Sequence, residues 1–368
     1  QESNSCGEFR MKIAVTADVH LRTGGEHPER YVALENILEQ TRDIGIKHLI
    51  IAGDLFDKEF QNYSEFETLC TKYDDLDLYI IPGNHDPNIA DKDIVGANIH
   101  IYTEPTVLEV DSTILLFIPY VAGKAMGEEI ARAKDKIEGS EKEWVLIGHG
   151  EVYGGGGIRE VNHLEPGPHM PLTRRAVEEF KPRLALLGHI HKPHEPIPDV
   201  HFVGSPCGLD ITETGHRQFV VYDTDSGSIE ALAVRGEQLY FNESFLIFPA
   251  VDEISLLEKQ ITERIESWNV DPPDHSKIQV RLSASGYSKN RSAVKDALKL
   301  GFEGFMAYED EDPNIEELYS TTDEQLEDVR SRTMELIEEC DWDWGVGSEP
   351  TRDQVKIAAL AAIYGKVS

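Results

Sequence analysis

Cysteine is scarce: four residues in 368, Cys6, Cys70, Cys207 and Cys340, stand far apart and never in a CxxC pair. That spacing excludes a disulfide-stapled scaffold and a structural zinc finger, and it fits a reduced chain in the cytoplasm. No apolar run is long enough to cross a bilayer, so no membrane role is expected. The first ten residues, QESNSCGEFR, lack the hydrophobic stretch of a secretory signal and read as a leader or tag, with Met11 as the natural start. Basic residues are few as well. Thirty-five Lys and Arg face 68 Asp and Glu, a formal net charge of −33. That balance weighs against a protein that clamps long DNA through its own electrostatics. No internal repeat is present, and the GGGG at 154–157 is followed by no P-loop Lys-Ser/Thr, so a mobile loop is expected there rather than a phosphate cradle.

What is present is a regular alternation. From Met11 to about Asp223, the short apolar runs KIAVTA, HLIIAGD, LYIIPG, TILLFIPY, EWVLIGHG, RLALLGHI, VHFVGSP and QFVVYD alternate with helical patterns. Their Ile, Val, Leu and Phe content is that of strands buried on both faces. Between the first two, Tyr31, Leu34, Ile37 and Leu38 recur at helical spacing, with Pro28 to open the helix and Gly45 to close it. An α/β domain is therefore expected over 11–235. A small α/β cap is expected over 236–312, from the helical SLLEKQITERIESW, a turn at DPPD, and a strand–helix–strand succession from KIQVRLSA to FEGFMAYE. Residues 313–368 carry two helical patterns, each opened by a capping box, Thr322 to Gln325 and Thr351 to Gln354. Charge is uneven: 16 acids oppose 2 bases over Glu309–Glu349, whereas 6 bases oppose 2 acids over His275–Tyr308.

The unusual residues collect where the apolar runs end, the general place for ligand sites in such sheets. In order they are Asp18-Val19-His20, Gly53-Asp54-Leu55-Phe56-Asp57, Gly83-Asn84-His85-Asp86, Gly148-His149 and Gly188-His189-Ile190-His191. Taken singly each is weak, since a lone strand-end His is more often structural or exposed. Five in one sheet, each after an apolar run, point to a shared site. Carboxylate, amide and imidazole ligands without thiolate suit Mn, Fe or Zn. The set is too large for one catalytic ion and suits two divalent ions that share a bridge.

The set DxH, GDxxD, GNHD, GH and GHxH, spread over residues 12 to about 206, resembles the calcineurin-like metallophosphoesterase superfamily. Within it GDLFD, GNHD, GHGEV and GHIHKP followed by VGSP resemble the SbcD family of DNA-repair exonucleases. The resemblance implies a β-sandwich flanked by helices (α/β/β/α), followed by a cap and C-terminal helices. It implies that Asp18, His20 and His191 hold a first metal, that Asn84, His149 and His189 hold a second, and that Asp54 bridges them. His85 would face the scissile phosphate and protonate the leaving oxygen. Asp57 and Asp86 either orient a ligand imidazole or close a turn. His163, His169, His194 and His201 read as solvent or loop histidines, with His194 and His201 near the rim at most.

The resemblance also implies manganese-dependent cutting of DNA, in the cytoplasm or at the nucleoid, a homodimer, and an SbcC-type coiled-coil ATPase as partner; RYVALENILEQ and NYSEFETLCTKY are the candidate dimer contacts. Leu326, Val329, Leu336 and Ile337, or Val355, Leu360 and Ile363, would form the ATPase docking face or else pack on the cap. Lys289 and Arg291, with Lys295 and Lys299, either touch DNA backbone or form a solvated helix face. The alternative substrates are nucleotides, cyclic nucleotides or other small phosphoesters. A third reading is a metal-binding scaffold without catalysis.

Overall fold

The computed structural model describes residues 11–364 except 24, 59–61, 91–93, 112, 141, 162–166, 250–251, 321–326 and 341–350. The expected leader, His163, Leu326 and the Thr322 capping box lie outside the described residues. The chain divides into two compact units. One comprises residues up to Leu209 and His216–Gln238, the other Asp210–Gly215 and Leu239–Ser368.

The first unit is built on two six-stranded sheets. One holds β1 (Lys12–Thr16), β2 (His48–Ala52), β3 (Asp77–Ile81), β4 (Ile99–Ile101), β14 (Gln218–Asp223) and β15 (Ile229–Ala233), in the order β15-β14-β1-β2-β3-β4. The other holds β5 (Thr106–Val110), β6 (Thr113–Ile118), β7 (Glu143–His149), β11 (Leu184–Gly188), β12 (His194–Ile197) and β13 (Val200–Phe202), in the order β12-β13-β11-β7-β6-β5. All eight apolar runs form strands. Alternate side chains point to opposite sides, and apart from β13, where His201 is half-buried, both faces are buried. Ile13, Val15, Ile50 and Ile81 pack with Phe117, Val145, Ile147 and Leu186 between the sheets. Ala14, Leu49, Ile51 and Leu78 face outward to Leu34, Ile37 and Leu38 of α1 (Pro28–Asp43) and Phe66 of α2 (Ser64–Lys72). Leu116, Leu146 and Leu187 face Met126 and Ile130 of α3 (Met126–Ala133) and Ala176 of α4 (Arg174–Phe180). The layers therefore read helix, sheet, sheet, helix, a mixed α/β fold.

The opening of α1 follows expectation, with Pro28 at its first turn and Gly45 at φ +78 just past its end. The GGGG stretch differs from expectation. Gly154 and Gly155 end β8 (Val152–Gly155), and the chain turns at once into antiparallel β9 (Ile158–Glu160). Gly155, Gly156 and Gly157 all take positive φ, which a tight hairpin turn demands and glycine supplies without strain. β10 (Leu172–Thr173) pairs with the other edge of β8.

In the second unit β16 (Leu239–Ile247) runs parallel to β17 (Ile278–Ser288), whose other edge receives β18 (Met306–Ala307) and β19 (Leu318–Ser320). Against this sheet α5 (Glu253–Ser267) and α6 (Arg291–Gly301) bury Leu257, Ile261, Val294 and Leu298 with Phe241, Phe245 and Trp268. DPPD opens a 3₁₀ turn over Pro272–Lys277. The strand expected over FEGFMAYE is only the two residues of β18. Two helices, α7 (Glu327–Glu339) and α8 (Arg352–Tyr364), end the described chain. The expected box at α8 forms in both directions: Thr351 N–H donates to Gln354 Oε1 at 2.7 Å and Gln354 N–H to Thr351 Oγ1 at 3.2 Å.

No helix among the described residues is long and apolar enough to cross a membrane.

Candidate metal centre

The five strand ends, expected in one sheet, come from both: β1, β2 and β3 belong to one sheet and β7 and β11 to the other, and the loops that leave them converge. Backbone hydrogen bonds knit the first two: Asp18 N–H to Gly53 O at 3.0 Å, His20 N–H to Asp54 O at 3.0 Å and Leu21 N–H to Leu55 O at 2.9 Å. The end of β11 is tied in by the His189 amide, which donates to both carboxylate oxygens of Asp18 at 2.9 and 3.0 Å. The GNHD loop is tied in by the His85 amide, which donates to Asp54 Oδ1 at 2.8 Å.

That leaves Asp54 Oδ2 as the shared atom of two donor groups. His149 Nε2 lies 3.3 Å from it on one side and His20 Nε2 lies 3.7 Å from it on the other. Beside His20 stand His191, Nε2 to Nε2 at 3.2 Å, and Asp18, whose Oδ1 is 3.9 Å from His191 Nε2. Beside His149 stand Asn84 and His189, the Asn84 Oδ1 lying 2.9 Å from His149 Nε2 and 2.9 Å from His189 Nδ1. All seven sequence-identified ligand residues thus come together, with Asp18, His20, Asp54, His149 and His189 buried. His149 Nδ1 lies 2.9 Å from the Ala52 carbonyl, so that nitrogen carries a proton and Nε2 is the one that faces Asp54 and Asn84.

The backbone is built around this cluster. Asp18, His20, Asp54 and His189 all take positive φ, a conformation costly for residues with a Cβ and concentrated at functional sites. The glycines are space-makers. A Cβ on Gly53 would sit 2.1 Å from His149 Nδ1, one on Gly83 2.1 Å from Asp54 Oδ1, and one on Gly188 2.2 Å from the Ala52 carbonyl.

Electrostatics describe a centre suited to a cation. Burial pushes Asp18 up to about 6. Burial also opposes charge on Asp54, yet the facing His149, and then His20, hold its carboxyl well below the usual range. Burial disfavours the His149 imidazolium, but Asp54 outweighs it and raises that imidazole to about 9, while burial keeps His20 neutral down to about 3. Buried carboxylates crowded with imidazole and amide donors, and no thiolate, match the ligand chemistry of Mn, Fe or Zn. Asp18, His20 and His191 would hold one ion and Asn84, His149 and His189 another, with Asp54 between.

His85 stands beside the cluster, its ring 4.5 Å from that of His20. Its Nδ1 meets Asp57 Oδ1 at 3.0 Å, and Arg22 holds the other oxygen of Asp57 at 2.7 Å. Asp57 therefore addresses an imidazole, that of His85. Asp86 touches none: its two oxygens accept the Gly83 amide at 2.7 Å and the Phe56 amide at 3.1 Å, so it closes the turn and binds two loops together.

His169 lies in a loop, as expected, but that loop brings it against the centre. Its ring lies 4.9 Å from His189 and stacks toward Tyr120 at 6.3 Å, and Glu151 and His189 lie close by. Tyr120 and Glu151 were missed. The first directly ends the TILLFIPY run and the second directly follows GHG, the only signals they offered. His194 pairs with Glu160 at 3.2 Å and His201 with Glu195 at 3.8 Å. In the second unit, Arg291 donates to the Ile315 carbonyl at 2.8 Å and the Lys289 amide to Glu253, while Lys295 and Lys299 both pair with Asp312.

Residues 11–193 match the family model described as calcineurin-like phosphoesterase. No curated protein matches the sequence. Solved structures that bear a likeness include two described as follows. One is described as a novel archaeal phosphodiesterase, with 15% identity, TM-score 0.32, covering 61% of this chain and 99% of the other. The other is a putative 5'-nucleotidase from Staphylococcus aureus, with 14% identity, TM-score 0.39, covering 70% of this chain and 58% of the other. The family match falls on the segment that carries the donor cluster, and that segment is similar to the calcineurin-like phosphoesterases.

Proposed function

We propose that the protein is a phosphodiesterase of SbcD type that cuts DNA with two manganese ions held at the Asp54 cluster. The observation that carries this reading is that both halves of the ligand set face one oxygen, Asp54 Oδ2, with His85 beside them. Bound divalent cations supply a water that ionises near neutral pH and neutralise charge on the phosphate. The chain's own residues do the rest. His85, steadied by Asp57, faces the phosphoester and donates a proton to the leaving oxygen. The motifs GDLFD, GNHD, GHGEV and GHIHKP favour DNA as the phosphodiester, acted on in repair or recombination in the cytoplasm or at the nucleoid.

An acidic protein needs help to hold DNA. An SbcC-type ATPase is the proposed partner, docking on α7, where Val329 and Leu336 are 52% and 50% exposed, with a homodimer of the nuclease at its centre. Leu360 is fully buried and is no part of such a face. The second reading, hydrolysis of nucleotides or other small phosphoesters, is favoured by one observation: Lys295, Lys299 and Arg281 of the basic stretch are paired with Asp312 and Glu311.

The test is hydrolysis with manganese of linear duplex DNA, a small aryl phosphodiester and an aryl phosphomonoester. DNA cleavage supports the first reading, turnover of small esters alone supports the second, and no turnover with any divalent metal sinks both.

A further inference from the structure

We propose that Glu151 is a positioning residue for His189, gripping the imidazole from behind so that Nδ1 is presented beside Asn84. This rests on the reading of His189 as a metal ligand. Glu151 is 1% exposed, and its Oε1 has no hydrogen-bond partner among the described residues. A buried carboxylate oxygen left in that condition is costly unless it serves a neighbour. The neighbours are imidazoles: ligand-capable atoms of Glu151, His169 and His189 all lie within 4.8 Å of one another, and His169 Nδ1 is 3.8 Å from Oε1. His189 shows Nδ1 to Asn84 Oδ1 at 2.9 Å, and its Nε2 is buried. An imidazole that gives one nitrogen to a metal ordinarily gives its other N–H to a carboxylate or carbonyl, which sets the tautomer and the ring plane.

The support for Glu151 is itself built in. Its amide donates to the His169 carbonyl at 2.9 Å, and its carbonyl accepts the Leu172 amide at 2.8 Å. A Cβ on the preceding Gly150 would lie 2.5 Å from the Met170 carbonyl, so only glycine lets these segments approach. Oε2 accepts the Tyr153 hydroxyl at 2.7 Å, and Arg159 caps that hydroxyl at 3.1 Å. With Oε2 so occupied, Oε1 is left for the imidazoles.

The test is manganese binding by titration calorimetry to wild type, Glu151→Ala, Glu151→Gln and His189→Ala, with the spin-coupled manganese pair followed by electron paramagnetic resonance. In Glu151→Ala, affinity at one of the two positions falls about 10–100-fold with the other unchanged; in the isosteric Glu151→Gln it falls about tenfold. The pair signal then weakens at sub-saturating manganese. Wild-type affinity at both positions in either folded variant, with His189→Ala losing one ion, overturns the role of Glu151 alone. Two ions retained at wild-type affinity by His189→Ala overturn the ligand reading beneath it.

Discussion

His85 and Asp86 are neighbours in the chain with unlike duties. His85 points into the centre with Asp57 behind it, so its removal takes away a proton donor and not a ligand. His85→Ala is expected to keep its bound metal and lose at least ~100-fold in turnover; ion analysis beside a rate assay checks it, and loss of metal would show that His85 ligates. Asp86 works on the backbone, each oxygen taking one amide. Asparagine offers one oxygen only and turns an N–H toward the other amide, so Asp86→Asn is expected to cost about 1–3 kcal/mol in chemical denaturation. Burial, with Asp54 next, raises the Asp86 carboxyl to about 7. A carboxyl raised in the folded state contributes its stability in full below the unfolded value near 4, and loses it as pH climbs through 7. The deficit of Asp86→Asn against wild type, measured without metal, therefore narrows between pH 4 and 7.5. A deficit independent of pH would place Asp86 outside this role.

The strands are where the site's precision originates. β2, β7 and β11 approach so closely at their ends that glycine is obligatory: a Cβ at Gly188 would meet the Ala52 carbonyl at 2.2 Å and His149 Nδ1 at 2.8 Å. Backbone atoms cannot swing aside as a side chain can, so Gly188→Ala is expected to cost about 1–3 kcal/mol and to displace His149, lowering metal content with stability. Denaturation and ion analysis of that variant decide it, and a stable variant with full metal content would show that the strands can part without harm. The same elements show how far sequence pattern reaches. All eight apolar runs became strands because strands packed between two layers need hydrophobic side chains on both faces. β4, β12, β15 and the hairpin strands passed unseen, being short, lying at sheet edges or outside the two large sheets, and carrying exposed or polar residues.

Charge acts over the entire protein. A formal −33 means self-repulsion that screening relieves. Raising monovalent salt from ~0.1 to ~1 M, where the screening length falls to about 3 Å, is expected to raise the thermal midpoint of the metal-free protein; an unchanged or lower midpoint would contradict it. Divalent cation adds a separate increment, about 2.7 kcal/mol at a hundredfold excess over Kd, because it binds the folded centre and not the unfolded chain. Chelation reverses that increment, visible as a lower midpoint in calorimetry.

Hydrophobic runs already gave the α/β fold, and the glycines, histidines and aspartates directly after them marked the loops of the donor cluster, because both patterns are local in the chain; the resemblance those motifs carry picked out the seven residues. Packing alone settled which oxygen both donor groups share, that Asp57 serves His85 while Asp86 serves amides, and that His169 and Glu151 stand behind His189. Those relations join segments up to 171 residues apart, such as the His189 amide on Asp18, and no local pattern encodes a distance between strand ends.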